Sequence, residues 1–261
     1  MQNPTYYVEM SYSKLSSPSW FPSPETLILG DNEVHVWRAS LELPSSQVQR
    51  LRRNLSEEEL ERAERFHFER HRDHFIGARG LLRTILGRYL MTDPGKLQFR
   101  YGPKGKPELA GKASQRPLHF NVSHSHGLAL YAVTREHEIG VDVERIRPDL
   151  AGEKIAERFF SSREAATLRE LPAHMRQKAF YTCWTRKEAY LKAIGQGITL
   201  HLDQFEVSVA PGEPAVLLSI NGDPKEASYW SLKGLDPGPG YVGALAVKGH
   251  GWDLRCWHWK E

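Results

Sequence analysis

Gly127-Leu128-Ala129-Leu130-Tyr131-Ala132-Val133 is echoed, weakly, by Tyr241-Val242-Gly243-Ala244-Leu245-Ala246-Val247 near the other end of the chain. Each is a short apolar run that suits a buried strand better than a helix. Each also closes a stretch that runs through helical patterns and then strand patterns. The expected fold is therefore α+β: two similar α/β lobes in a pseudo-twofold arrangement, joined near 135–140, rather than one doubly wound sheet. The lobes are expected at 1–138 and 139–261.

Working outward, Val34–Leu41 reads as a strand with Trp37 out of phase. Ser56-Glu57-Glu58-Glu59 has the capping-box pattern and predicts a charged helix to about Arg70. From Asp73, apolar residues recur at helical spacing to Leu90, before Pro94 and Gly95. Leu97–Tyr101, Leu118–Ser123 and Ile139–Glu144 alternate as strands, and residues 102–107 form a loop with two lysines. Helices are expected over 152–171 and 174–194. Short strands follow at Phe205–Val209, Ala215–Ile220, Tyr229–Leu232 and Tyr241–Val247. Residues 1–33, rich in Ser and Pro, read as an extended leader.

The 261 residues include 40% apolar and 10% aromatic residues, ample for a core, which excludes a disordered or low-complexity chain. Two cysteines, Cys183 and Cys256, cannot build a disulfide framework or a four-thiolate zinc site. With no signal-like start and no long apolar run, a cytoplasmic protein without a membrane partner is expected. The net charge of +3 hides an asymmetry. Arg50–Pro107 carries 14 Lys and Arg against 8 Asp and Glu. Such a stretch suggests an anionic partner: nucleic acid, a phosphorylated cofactor or an acidic protein.

Three constellations could carry chemistry. In Asp142-Val143-Glu144, alternate side chains of a strand put both carboxylates on one face. They suit Mg²⁺, or they are incidental acids on a solvent-facing strand. Trp184, Glu188 and Lys192 line one helix face, and Glu–Lys at i, i+4 is equally a common surface stabiliser. Phe120-Asn121-Val122-Ser123-His124-Ser125 could offer a hydroxyl, an N–H and an imidazole to phosphate. A Ser–His hydrolase lacks its nucleophile elbow here, since neighbours on a strand face opposite ways. Zinc on His124 and His126 lacks a third ligand. His67, His71 and His74 have helical spacing for a metal but no zincin pattern. Gly111-Lys112-Ala113 fails as a phosphate loop.

Taken in order, five stretches resemble the 4′-phosphopantetheinyl transferase superfamily, in its two-lobed, surfactin-synthetase-activating branch. They are Gly105-Lys106-Pro107-x-Leu109, Asn121-Val122-Ser123-His124-Ser125, Gly140-Val141-Asp142-Val143-Glu144, Arg158-Phe159-Phe160-Ser161-x-x-Glu164, and Trp184-x-x-Lys187-Glu188-Ala189-x-x-Lys192-Ala193-x-Gly195-x-Gly197. The resemblance spans about residues 55–200 and implies the superfamily's two-lobed fold. It also implies transfer of 4′-phosphopantetheine from coenzyme A to a serine of an apo acyl or peptidyl carrier protein, releasing 3′,5′-ADP.

By the same resemblance, Asp142, Glu144 and Glu188 would hold Mg²⁺, with Mn²⁺ as a substitute. Glu188 would be the base, and Lys192 would neutralise pyrophosphate charge beside Asp142. Arg62 would reach the 3′-phosphate. Lys104, Gly105, Lys106 and Pro107 would lie along the nucleotide, with Ser123 and His124 on phosphates. Lys187, counted on the cofactor side, would pair with Glu164 and set the helix. The implied partners are free carrier proteins or carrier domains of polyketide and nonribosomal-peptide synthases, served by a monomer. A Mg²⁺-dependent phosphohydrolase and a basic nucleic-acid-binding module are the alternatives. The second lacks an RNA-sheet or helix-turn-helix motif. Trp252, Trp257 and Trp259 are expected to pack in the core.

Overall fold

The computed structural model describes residues 18–110, 117–148, 152–196 and 201–260. Strands β1 (Trp20–Pro22) and β2 (Glu33–Ser40) come first, then helices α1 (Ser45–Arg52), α2 (Glu57–Glu64) and α3 (Glu69–Leu90). The hairpin β3 (Phe99–Tyr101) and β4 (Pro107–Leu109) leads into the antiparallel pair β5 (His119–Ser125) and β6 (Leu128–Thr134). The second half repeats that order. Strand β7 (Ile139–Arg145) precedes α4 (Gly152–Phe159), α5 (Ser162–Glu170) and α6 (Ala173–Ile194). The hairpin β8 (Phe205–Val207) and β9 (Leu217–Ile220), a short α7 (Pro224–Ala227), and the pair β10 (Trp230–Leu235) and β11 (Tyr241–Lys248) follow. The echo between residues 127–133 and 241–247 therefore marks equivalent strands, β6 and β11, each flanked on both sides in its own sheet.

Several boundaries differ from expectation for local physical reasons. The first charged helix stops at Glu64, and α3 starts at Glu69 rather than Asp73. The helix expected over 152–171 is two, because a second capping box interrupts it. Ser161 Oγ accepts from the Glu164 N–H (3.2 Å), and Glu164 Oε2 accepts from the Ser161 N–H (2.9 Å). Trp37 is not out of phase. Strand β2 is covered on both faces, so Val34 and Val36 meet one apolar cluster while Trp37 and Ala39 meet another.

The chain end returns to the first sheet. Strand β12 (Asp253–His258) runs parallel to β2 and to β1, giving the order β1-β12-β2-β6-β5 beside a three-stranded β10-β11-β7. Residues 253–258, expected in the lobe 139–261, are thus hydrogen-bonded into the sheet of the first half. Trp257 stands in register with Trp37, and the Trp257 and Trp259 rings lie 6.3 and 5.9 Å from it. Trp252, Trp257 and Trp259 pack against the core, half-buried rather than inside it. Among the described residues three apolar clusters result: one under α1–α3, one around α4–α6, and one on the sheet faces turned away from the helices. Burying such side chains contributes on the order of 1.5–3 kcal/mol each. Cys183 and Cys256 are free and buried. No described helix is long and apolar enough to cross a membrane. Residues 1–17 of the leader, Gly111-Lys112-Ala113 and Gly197 lie outside the described residues.

Candidate active site

The two sheets meet where β5 lies against β7, and the join is made by side chains. Asn121 Oδ1, Ser123 Oγ and Ser125 Oγ accept from the backbone N–H groups of Val141, Val143 and Arg145 at 2.9, 3.3 and 3.2 Å. Alternate residues of β5 share a face, which is why Asn-x-Ser-x-Ser can satisfy every other N–H of β7. The hydroxyls of the same serines donate onward to the acids. Ser123 Oγ reaches Asp142 Oδ1 and Ser125 Oγ reaches Glu144 Oε2, both at 2.8 Å.

Helix α6 supplies the third acid through two neighbouring stripes. Ala189 and Ala193 sit against Gly140, where a Cβ would come within 2.1 Å of Ala189 O and 2.3 Å of Ala193 N. Opposite Gly140 and Asp142 on β11 stand Ala246 and Ala244, so the floor beneath the helix is made of small residues. The next stripe, Glu188 and Lys192, is brought beside Asp142. Lys192 Nζ lies 2.6 Å from Asp142 Oδ1 and 2.8 Å from Ser123 Oγ.

Burial, together with the charges of Asp142 and Glu144, pushes the Glu188 carboxyl up to about 7 even though Lys192 opposes it. Burial likewise raises Glu144, and the Asp142 charge adds to it. Two oxygens, Asp142 Oδ2 and Glu188 Oε1, are buried without a hydrogen-bond partner. Three hard carboxylates, two of them with a partnerless oxygen, fit a divalent cation such as Mg²⁺. Among the described residues, however, no acidic, histidine and cysteine side chains are drawn together tightly enough to form a metal-holding group. Lys192 is the cation that faces Asp142.

On the other face of β5, Val122 and His124 open into a cavity of about 640 Å³. Its wall is strongly basic: Arg62, Arg70, Arg79 and Arg145, with His71, His74, His124 and His126. Desolvation and then the charges of Lys192, His74 and Arg62 lower the pKa of His124. The Arg62 guanidinium lies over the Phe75 ring at 5.3 Å. Arg79 is held by Glu59 (2.5 Å) and stacks on Phe99 (4.7 Å), with its other end donating to the Tyr101 hydroxyl. Burial works to raise Glu59, yet Arg83, the Ser56 N–H and Arg79 keep its carboxyl below the usual range.

The site residues expected from sequence fall into three groups. Asp142, Glu144, Glu188 and Lys192 come together at the seam, and Arg62, Gly105, Pro107 and His124 line the basic cavity. Ser123 does not face that cavity: it is buried against Asp142 and Lys192. Lys187 reaches neither space. It is fully buried, with Nζ 2.8 Å from Glu164 Oε2 and donating to Leu202 O and Phe205 O. The expected pair is present, and it leaves no ammonium surface for a cofactor. Lys104 is exposed, and Lys106 points away from the cavity to the end of α6. Arg70, Arg79 and Arg145 are not among the residues expected from sequence, and His126 is expected there only as a zinc candidate beside His124. The signal was there for part of this set, since His71, His74, Phe75, Ala78, Arg79 and Leu82 form one face of α3 at helical spacing. On spacing alone His71 and His74 read, with His67, as metal-ligand candidates, whereas the arginines around them make the face basic.

Two sequence profiles match this chain: one described as 4′-phosphopantetheinyl transferase superfamily over residues 138–246, and one as 4′-phosphopantetheinyl transferase, N-terminal, over 37–136. The chain is 46% identical to 4′-phosphopantetheinyl transferase HetI of a Nostoc species over 241 residues, 92% of this chain and 98% of the relative. It is 28% identical to 4′-phosphopantetheinyl transferase Sfp of Bacillus subtilis, covering 74% and 82% of the two chains. Thermotoga maritima holo-[acyl-carrier-protein] synthase matches over 44% of this chain and 64% of that one, at 23% identity and a TM-score of 0.35. On the extent and identity of its match to HetI, the chain belongs to the 4′-phosphopantetheinyl transferase superfamily.

Proposed function

We propose that this protein transfers the 4′-phosphopantetheine group of coenzyme A to a serine of an apo carrier protein. The observation that carries the reading is the juxtaposition, across one strand, of a basic cavity and a cluster of three acids with Lys192. A nucleotide carrying several phosphates needs the first, and phosphoryl-type transfer needs charge neutralisation and positioning at the second. The cleft then lies between lobes 1–138 and 139–261, with β12 returning across the boundary. Most of the basic wall comes from the first lobe and all the acids from the second.

Coenzyme A would place its nucleotide against Arg62, Arg79, His124, Gly105 and Pro107, with the pyrophosphate toward Lys192. Asp142, Glu144 and Glu188 would hold Mg²⁺, or Mn²⁺ in its place, which supplies charge neutralisation at the pyrophosphate. Glu188 takes the proton from the carrier serine, whose oxygen then forms a bond to the β-phosphorus. The bond from that phosphorus to the bridging oxygen breaks, and 3′,5′-ADP departs with the electron pair. Lys192 balances the charge that develops, while Ser123 and Ser125 keep Asp142 and Glu144 aimed. The carrier is a free acyl carrier protein or a carrier domain of a polyketide or nonribosomal-peptide synthase.

The test is intact-mass analysis of a panel of apo carrier proteins incubated with the protein, coenzyme A and Mg²⁺. A gain of one phosphopantetheinyl mass with stoichiometric 3′,5′-ADP is expected. Absence of labelling across the panel, or phosphate release from coenzyme A without a carrier, would refute the reading.

A further inference from the structure

The β3–β4 turn is closed by two backbone hydrogen bonds, Gly102 N–H to Lys106 O (2.9 Å) and Gly105 N–H to Gly102 O (2.8 Å). Gly105 adopts a φ of +80°, the left-handed region a glycine enters freely. One side of this turn, Gly105 and Pro107, lines the basic cavity. The Lys106 side chain leaves on the other side and crosses to the second half of the molecule. Its Nζ donates to Lys192 O (2.7 Å), Ala193 O (3.0 Å) and Ile139 O (3.1 Å).

An ammonium has three N–H donors and no more. Three carbonyls therefore use all of them, and none is left to meet a phosphate. Two of these carbonyls are in the last turn of α6, where a helix lacks its own donors and its dipole favours a cation. The third opens β7, three residues before Asp142. Partial burial of Lys106 lowers its pKa, with Glu108 and Glu138 opposing the shift.

On the reading of the reaction given above, we infer that Lys106 is a positioning residue that clamps α6 onto β7, and is not a ligand of the cofactor. The two elements it ties together carry every charge of the catalytic cluster. Lys192 offers its carbonyl to Lys106 while its own ammonium sits on Asp142. Loosening the clamp would let the end of α6 rise from β7, which moves Lys192 and Glu188 relative to Asp142 but leaves the basic cavity in place.

Lys106→Met keeps the stem and removes the donors. In the free protein, amide hydrogen exchange at residues 139–143 and 190–196 should quicken by about tenfold, roughly the worth of one net hydrogen bond. Coenzyme A affinity should stay within about threefold and keep its salt dependence, since no phosphate contact is lost. Turnover at saturating coenzyme A should fall by about tenfold or more, as misplacement of reacting groups does. Lys106→Arg, whose planar fork cannot meet three converging carbonyls, should show the same pattern more mildly, and it decides the matter if Lys106→Met does not fold. A tenfold or larger loss of coenzyme A affinity with a shallower salt dependence would overturn the inference, as would unchanged exchange (roughly twofold or less is unchanged on this scale). If the wild-type protein labels no carrier, the reaction reading fails, while exchange in the free protein still decides the role of Lys106.

Discussion

Adding one methyl group at Gly140 tests how the cluster of Asp142, Glu144, Glu188 and Lys192 is assembled. The Cβ of Gly140→Ala would lie 2.1 Å from Ala189 O, 2.3 Å from Ala193 N and 2.9 Å from Ala193 Cα. All three are backbone atoms of α6, so no side chain can swing aside. Relieving the closest contact to at least 3.0 Å requires the helix to retreat by about 0.9 Å. The same retreat would stretch the 2.6 Å contact between Lys192 and Asp142 to the edge of hydrogen-bonding range. Overpacking of this kind costs about 1–3 kcal/mol of stability. A misplacement near 1 Å costs roughly a hundredfold in rate. Among the described residues, the basic cavity draws only Arg145 from the second half, so coenzyme A affinity should change little. The assay combines urea unfolding, calorimetry with coenzyme A, and the initial rate of carrier labelling. Wild-type stability together with a wild-type rate would refute the close-approach account of the Gly-x-Asp-x-Glu motif.

Glu188→Gln should lower the labelling rate by about 10²–10⁴-fold, the usual worth of a positioned base, with no loss of melting temperature because a like charge beside Asp142 and Glu144 is removed. A rate within a few fold of wild type would remove Glu188 from the chemistry. Lys187→Met should cost about 3–5 kcal/mol in urea unfolding, since it strands the Glu164 carboxylate in the core, and adding Glu164→Gln should recover part of the loss. Equal stability of the single and double variants would contradict this. His35, 1% exposed, is held by desolvation at about 4 against an ordinary 6.5. The unfolded chain therefore binds the proton first as pH falls. Its contribution, on the order of 3 kcal/mol, is complete above about 6.5 and lost toward 4. Unfolding free energies measured from pH 4 to 7.5 should show that decline in the wild type and a flatter curve in His35→Gln. Parallel curves would count against it.

Residues such as Asp142 and Glu144 were legible because strand geometry fixes which side chains share a face. The capping box at Ser56 was legible for a similar local reason. The second capping box, at Ser161, was written in the same code and passed over inside a longer helical pattern. The basic face of α3 was visible as a spacing, but its partner from β7, Arg145, is remote in sequence and could be placed only by the seam. Lys106 shows the limit most sharply. A lysine in a glycine-rich loop beside a basic segment looks like a phosphate ligand, and nothing nearby in the chain reveals that its donors are consumed by Ile139, Lys192 and Ala193.

By itself, then, the sequence determined the α+β class, the repeat of two halves, and which acids and which helix stripe share a face at the candidate site. Each of these follows from a local period, a cap or a short echo. The tertiary structure alone decided that β12 completes the first sheet, that β5 and β7 join through side chains, and that Lys106 and Lys187 spend their donors away from the cavity. Those outcomes depend on contacts between residues far apart in the chain, where no local propensity acts and only packing and hydrogen-bond satisfaction choose the partner.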